Sequence, residues 1–138
     1  MGQQPGKVKK IYQTPSDLDI RADAIEEPQV EFESKLAEGT HASVYKGIWN
    51  GMEVAIKQFR EEGEKEYFTT ELLILSTMHH PNIVTFLTSN MTKRFIVLEF
   101  IVNGTLHELL HSDHSLSCPD LISIAYDIVR GGAYLHAL

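Results

Sequence analysis

Apolar and polar residues begin to alternate regularly only at Val30. Ahead of that point, the first 28 residues contain three of the five prolines and sustain no apolar period. Such a segment buries too little apolar surface to order itself, although residues 18–25 could form a short helix. The pattern therefore predicts a flexible arm at residues 1–28 and one folded domain at residues 29–138.

The folded part is predicted to open with three antiparallel strands. Val30, Phe32 and Leu36 are separated by even steps, as in a strand with one buried face. Two further strands, at residues 44–49 and 54–57, flank an Asn-Gly pair, which strongly indicates a two-residue hairpin turn.

An amphipathic helix is predicted next, over residues 61–78. Its first turn is rich in acids, which suit the positive end of the helix dipole. Phe68, Leu72 and Leu75 form its apolar face. Pro81 lies just beyond its end, where a helix commonly stops.

The next pattern predicts two more strands and a short helix. The strands fall at residues 83–87 and 94–100, with a polar turn at 89–93. An Asn-Gly pair ends the second strand, and residues 105–111 then form the short helix.

A longer helix is predicted over residues 117–138. Ser117 and Asp120 match a capping box, and Pro119 lies in the first turn, where its missing N–H costs little. Two adjacent glycines lie inside this helix. Its apolar stripe comprises Leu121, Ile124, Ile128 and Leu135.

The composition is that of an ordinary soluble globular protein, with 43% hydrophobic and 22% charged residues in a chain of 138. The longest apolar runs are four residues long, whereas a bilayer span needs about 20. No apolar stretch follows the N-terminal lysines, so no secretory signal is expected. The single cysteine, Cys118, predicts a reducing, cytoplasmic environment.

The net charge of −7 argues against a general nucleic-acid binder. Residues 1–10 carry +3, residues 17–38 carry −6 and the remaining residues carry −4, so the charge is unevenly spread along the chain. The acidic stretch is interpreted as a solvated tether.

Three features that could carry chemistry occur in order along the chain. A glycine-bearing hairpin at residues 36–44 is followed by Lys57 on the third strand and by Glu71 on the next helix. A buried lysine needs an acidic partner because an unpaired buried charge is very unfavourable. A lysine held in this way presents positive charge beneath a hairpin whose N–H groups can face phosphates. The alternative is a purely structural ion pair.

From residue 30 to residue 138 the sequence resembles the protein kinase family. Residues 54–57 read Val-Ala-Ile-Lys, the tetrapeptide of the family's lysine strand. Glu71 precedes His80, which opens a His-Pro-Asn-Ile-Val segment, by nine residues, as the glutamate of the family's helix αC should. Further matches are to the hinge at residues 97–100, the entry to αD at 103–106 and the end of αE at 131–136.

Residues 44–49 resemble most closely the tyrosine-kinase-like group, which includes Raf-like and mixed-lineage kinases. The resemblance implies an α+β fold, a kinase small lobe made of a five-stranded antiparallel sheet and αC. The small lobe would span residues 29–101. Helices αD and αE of an incomplete large lobe would follow at residues 102–138.

The resemblance also implies a role for individual residues in binding ATP. The lysine would contact the α- and β-phosphates and pair with the glutamate, and Gly39 would let the backbone approach the phosphates. Backbone groups of Glu99 and Ile101 would bond the adenine edge, beside Leu98 as gatekeeper. The residues covering the adenine would be Leu36, Val44 and Ala55.

Two departures from the family pattern affect what is expected. The first and third glycines of the family's G-x-G-x-x-G loop are Ala37 and Ala42 here, which predicts a stiffer loop. The tripeptides H-R-D, D-F-G and A-P-E do not occur in the sequence. The catalytic base and the Mg²⁺ ligands are therefore not among these residues, and the 138 residues alone are expected not to transfer phosphate.

Two functions remain open. The first is ATP binding, with Mg²⁺, by the N-terminal part of a protein kinase. Completed by the rest of the lobe, that kinase would phosphorylate protein Ser/Thr hydroxyls. The alternative is a catalytically inactive, kinase-derived module that meets signalling partners through αC or the hinge edge.

Two weaker signals each have a plain alternative. The N-terminal sequence resembles that of a myristoylated tyrosine kinase, with Gly2 as the acylated residue and nearby lysines as a weak membrane signal. A flexible tail is the alternative. Four residues at spacings of 4, 3 and 4 could form a zinc set, or simply be solvated loop residues: His107, His111, His114 and Cys118.

Overall fold

A computed structural model describes residues 27–60 and 65–137, in which five antiparallel strands form one sheet. The strand order is β1-β2-β3-β5-β4, and helices follow β3 and β5. This confirms the predicted kinase small-lobe architecture. The elements are β1 Val30–Glu38, β2 Ala42–Trp49, β3 Met52–Phe59, α1 Lys65–Thr77, β4 Phe86–Asn90, β5 Phe95–Glu99, α2 Leu106–Leu110 and α3 Cys118–His136.

The β2–β3 hairpin has the two-residue turn that the Asn-Gly pair predicts. Trp49 pairs with Met52, and the two residues between them both have positive φ, 50° at Asn50 and 77° at Gly51. Asparagine and glycine tolerate this conformation better than other residues, and it matches the twist of the flanking strands.

Strand β1 does not present the single buried face that its even-step pattern predicts. Its pairing with β2 shifts register between Phe32 and Ser34 and again between Lys35 and Ala37. Each shift moves the following side chains to the other face of the strand. Phe32, ahead of the first shift, is 43% exposed, and Leu36, within the second, is 49% exposed, so the expectation of a regular half-buried strand is wrong here.

The sheet has a packed cluster on each face. One cluster, centred on Phe59, Phe68 and Ile96, receives Leu72 and Leu75 from α1. This confirms the predicted apolar face of that helix. The second cluster is formed by Val54, Ile56, Phe95 and Val97.

The connection from α1 to β4 differs from the pattern-based expectation. Residues 81–83 form a turn, in which the N–H of Asn82 donates to Nδ1 of His80 at 3.1 Å and the N–H of Ile83 donates to the His80 carbonyl. The strand predicted at residues 83–87 therefore begins only at Phe86. The turn predicted at residues 89–93 lies at 91–94, because Asn90 still pairs with Phe95.

The two later helices begin where the sequence predicts. Thr105 caps α2 and Ser117 caps α3, each with a complete capping box. The apolar stripe of α3 is mostly exposed, including Leu121 at 43% and Ile128 at 58%.

Several expectations lie outside the described residues. They are the arm before residue 27, its short helix at residues 18–25, acylation of Gly2 and the helix start at Glu61. Among the residues that the structure describes, no helix is long and apolar enough to cross a membrane.

Candidate functional site

The predicted lysine–glutamate pair forms. Lys57 lies near the end of β3, paired with Val44 of β2 on one side and Ile96 of β5 on the other. Its Nζ donates to both carboxylate oxygens of Glu71 on α1, at 2.6 and 2.7 Å. This ion pair links β3 to α1.

The pair is only partly buried, with 29% of the Lys57 side chain and 32% of the Glu71 side chain exposed. The lysine is therefore partly buried, whereas the sequence predicted a buried one. Water reaches the pair because it lines an open cleft, and the Coulomb attraction is correspondingly screened. The Lys57 ammonium also lies 5.3 Å from the centroid of the Phe59 ring, a favourable cation–π distance.

The loop between β1 and β2, residues 39–41, covers this pair from one side. The N–H of Gly39 donates to the carbonyl of Ala42 at 2.8 Å. A Cβ at Gly39 would lie 3.2 Å from that same carbonyl oxygen, which is closer than ordinary van der Waals contact. A side chain at residue 39 would therefore require that carbonyl to shift by a few tenths of an ångström.

Ala42 has a structural role that its sequence position did not reveal. Its side chain is buried, 6% exposed, in the cluster with Phe59, Phe68 and Ile96. The methyl group that replaces the family's third glycine thus packs into the core beneath the loop. The expectation of a stiffer loop stays a prediction.

The loop, β3 and α1 enclose a cleft of about 370 Å³. Four of the nine predicted nucleotide-binding residues line it: Gly39, Val44, Lys57 and Glu71. Its other lining residues are Ala37, Glu38, Thr40, His41, Ala42, Phe59 and Tyr67.

The remaining five predicted residues lie outside that lining. Ala55 pairs directly with Leu98, two residues along β3 from the lysine, so both share its face of the sheet. Glu99 ends β5 beside them. Leu36 and Ile101 are 49% and 52% exposed, so this side of the site is open.

The hinge is tied to the preceding connection by two bonds of Glu99. Its N–H donates to the carbonyl of Thr85 at 3.0 Å, and its side chain accepts from the N–H of Thr85 at 2.7 Å. The carbonyl of Ile101 accepts from the N–H of Gly104, whose φ is 73°. These bonds hold the backbone at the open end of the site.

Two contacts of the loop were not predicted from the sequence. The His41 ring stacks on the Tyr67 ring of α1, with centroids 4.3 Å apart and an interplanar angle of 16°. The Arg60 guanidinium donates to the Gly39 carbonyl at 3.2 Å. The sequence did carry one signal for the stack: Tyr67 lies four positions before Glu71, so both side chains are on the same face of the helix.

Glu38, the last residue of β1, places a negative charge directly before the loop. A hydrogen bond from Lys35 at 2.7 Å, that residue's positive charge and the nearby Arg60 lower the pKa of Glu38 below its ordinary value. This carboxylate stays ionised at neutral pH and borders the cleft.

The candidate zinc residues do not converge. His107 and His111 stack on one another at 4.2 Å, and the Nδ1 of His111 lies 2.8 Å from the carbonyl of His107. Within residues 27–60 and 65–137, no group of three or more His, Cys, Asp or Glu side chains could hold a metal ion.

Comparison with known proteins agrees with this geometry. A model of the family described as protein tyrosine and serine/threonine kinase matches residues 30–138. The chain belongs to the protein kinase family.

Curated relatives of the chain include protein kinases from two organisms. A probable serine/threonine-protein kinase of Dictyostelium discoideum is 37% identical over 123 residues, and a second from that organism is 32% identical over 120. Mitogen-activated protein kinase kinase kinase 7 of Homo sapiens is 30% identical over 132 residues.

The alignments cover 83%, 78% and 94% of this kinase chain but only 8%, 9% and 22% of the respective relatives. The chain therefore spans a small part of the length of the proteins it matches.

Proposed function

We propose that the cleft beneath the β1–β2 loop binds the phosphates of ATP, and that the adenine lies on the face of Ala55 and Leu98. The ion pair of Lys57 with Glu71 is the observation that carries this proposal. It places an oriented ammonium group below a loop in which Gly39 lies close to the Ala42 carbonyl.

The residues present fit a nucleotide at both ends of the site. Lys57 offers positive charge to phosphate oxygens, and Glu71 keeps its ammonium pointed into the cleft. At the hinge, the N–H of Glu99 donates to the Thr85 carbonyl, and the carbonyl of Ile101 accepts from the N–H of Gly104. An adenine edge would use the other two groups, the Glu99 carbonyl and the Ile101 N–H, while Leu36 and Val44 cover its ring.

In the whole protein, we propose transfer of the γ-phosphate of ATP, with Mg²⁺, to a Ser or Thr hydroxyl of a protein substrate. Two of the relatives named above are probable serine/threonine-protein kinases, and residues 44–49 favour the tyrosine-kinase-like group. Bound Mg·ATP supplies the reactive phosphoryl group. The residues described here orient the phosphates and fix the position of the adenine.

The test is the thermal stability of the 138-residue chain with and without millimolar Mg·ATP. A ligand that binds only the folded state stabilises it, by about 2.7 kcal/mol when present at 100 times its Kd. We expect a rise in Tm that Lys57→Met abolishes. The matched control is Lys93→Met, which removes a lysine from the β4–β5 turn, away from the cleft, and should keep the full shift.

A second candidate is a non-catalytic docking module, favoured by apolar exposure in the two places expected for it. Leu73 and Ile74 on α1 are 66% and 43% exposed, and Val102 next to the hinge is 75% exposed. An unchanged Tm at millimolar Mg·ATP, with the chain shown to be folded by circular dichroism, would favour this module over the nucleotide site.

We further propose that residues 1–28 form a flexible arm, residues 29–101 the small lobe and residues 102–138 the start of the large lobe. The protein would be cytoplasmic. Acylation of Gly2 would add weak membrane attachment, since one myristoyl chain binds membranes only reversibly. The intact mass of the endogenous protein tests this, because a myristoyl group adds a fixed mass increment that Gly2→Ala removes.

A further inference from the structure

The tip of the β1–β2 loop is attached to helix α1 by an aromatic contact. His41 stacks on Tyr67 with nearly parallel rings 4.3 Å apart. Tyr67 lies one turn before Glu71 on the same helix, so the contact lies next to the lysine–glutamate pair. Both rings belong to the lining of the cleft.

Three further contacts hold the same loop from its base. The N–H of Arg60 donates to the carbonyl of His41 at 3.3 Å, and the Arg60 guanidinium donates to the Gly39 carbonyl. Ala42 anchors the end of the loop in the core. These contacts attach the loop to Arg60, just after β3, and to the core. The stack on Tyr67 attaches the tip of the loop to α1.

From this arrangement we propose that His41 is a positioning residue for nucleotide phosphates. By stacking on Tyr67, it makes the loop over the phosphates and the helix that orients Lys57 move as one unit. The inference rests on the proposed ATP site and adds to it a specific coupling between the loop and α1.

The position of the stack predicts which part of a nucleotide senses it. Tyr67 and Glu71 border the end of the cleft where the Lys57 ammonium lies. Ala55 and Leu98, which would face the adenine, lie outside that cleft. Loosening the stack should therefore weaken binding of nucleotides with a β-phosphate and leave adenosine binding unchanged.

The first experiment measures the Kd of the full 138-residue chain for ATP, ADP and adenosine by calorimetry. An aromatic pair contributes enough for His41→Ala or Tyr67→Ala to raise the Kd of ATP and ADP about three- to tenfold. The adenosine Kd should stay the same. The double variant should be no weaker than His41→Ala alone, because that substitution already removes the stack.

Two kinds of control separate the stack from general damage. His41→Phe keeps an aromatic ring at the loop tip and should restore ADP affinity to near the unsubstituted value. Tyr126→Ala removes a tyrosine of similar exposure, 62% against 55% for Tyr67, from the remote helix α3. It should change none of the three affinities.

A second experiment tests the fastening without any ligand. Amide hydrogen exchange in residues 38–43 should become faster in His41→Ala and Tyr67→Ala, and remain as in the unsubstituted chain in His41→Phe. Both residues that are substituted are surface residues, so the circular dichroism spectrum should stay that of the folded chain.

The outcomes are distinguishable. If the unsubstituted chain binds neither ATP nor ADP, both the proposed function and this inference fail. If it binds them and the alanine variants bind equally well, or lose ATP and adenosine affinity in parallel, the nucleotide site stands and the positioning role of His41 is overturned. Unchanged exchange in the loop would overturn it as well.

Discussion

At the scale of single residues, two adjacent glycines in α3 occupy opposite surroundings. A Cβ at Gly131 would lie 2.9 Å from the carbonyl oxygen of Asn82, whereas a Cβ at Gly132 would have no heavy atom within 4 Å. Gly131 is the place where α3 passes close to the backbone of the α1–β4 connection. Gly132 has no such constraint.

We expect Gly131→Ala and Gly132→Ala to change stability in opposite directions. At residue 131 the added methyl must displace backbone, which should lower the free energy of unfolding by about 1–2 kcal/mol. At residue 132 the same change should raise it by about 0.5–1 kcal/mol, since alanine loses less backbone entropy in a helix. Urea unfolding of the two variants checks this, and each variant is the control for the other.

At the scale of elements, α3 depends on its N-terminal cap. The Ser117 hydroxyl accepts from the N–H of Asp120 at 3.3 Å, and the Asp120 carboxylate accepts from the N–H of Ser117 at 3.0 Å. We expect Ser117→Ala to lower the free energy of unfolding by about 1 kcal/mol. Ser115→Ala, in the loop just before, should leave it unchanged in the same urea titration. Equal effects of the two variants would contradict the role of the cap.

The same cap predicts a pH dependence. Hydrogen bonds from the side chain and backbone of Ser117 lower the pKa of Asp120 in the folded chain. Its unfolded pKa is about 3.9, so the folded state binds this proton less tightly. The stabilisation is complete above the unfolded pKa and is lost as pH falls through the lowered folded value.

Thermal unfolding between neutral and acidic pH checks this dependence. The Tm difference between the unsubstituted chain and Asp120→Asn should be largest near neutral pH and shrink in acid. A gap for Asp120→Asn that stays constant into acid would argue against the cap.

At the scale of the whole molecule, Tyr134 joins α3 to the rest of the fold. Its hydroxyl accepts from the N–H of His79 at 3.0 Å, and its ring stacks on His80 with centroids 4.9 Å apart. These contacts reach the turn between α1 and β4, so they hold α3 to that turn.

Tyr134→Phe should lower the free energy of unfolding by about 1 kcal/mol, the usual contribution of one hydrogen bond. It should also speed hydrogen exchange at the His79 amide. Tyr126→Phe is the matched control, because it removes a hydroxyl from an exposed ring on the same helix and should stay within about 0.5 kcal/mol. An unchanged His79 exchange rate would show that the hydroxyl does not fasten α3.

Much of the local structure could be read from residue patterns because its causes are local. The Asn-Gly turn, the Ser117 cap of α3 and the apolar face of α1 each depend on residues within a few positions of one another. The start of β4 could not be read in this way. It depends on whether His80 bonds its own turn, a choice that the apolar residues at 83–87 do not reveal.

The candidate site divides along the same line. Lys57 and Glu71 were predictable, since a lysine on a packed strand face requires an acid and the next helix supplies one. The stack of His41 on Tyr67 was not, because the two residues are 26 positions apart and either could have faced solvent. The burial of Ala42 likewise depends on where α1 brings Phe68.

By itself, the sequence determined the order of elements, the hairpin and helix ends, and the pairing of one lysine with one glutamate, because each follows from short-range sterics or from the need to neutralise charge. Only the tertiary structure decided the strand order β1-β2-β3-β5-β4, the register shifts in β1 and the attachment of the loop to α1. Those features arise from packing between distant segments, where burial on both faces of the sheet selects one arrangement among several that local preferences allow.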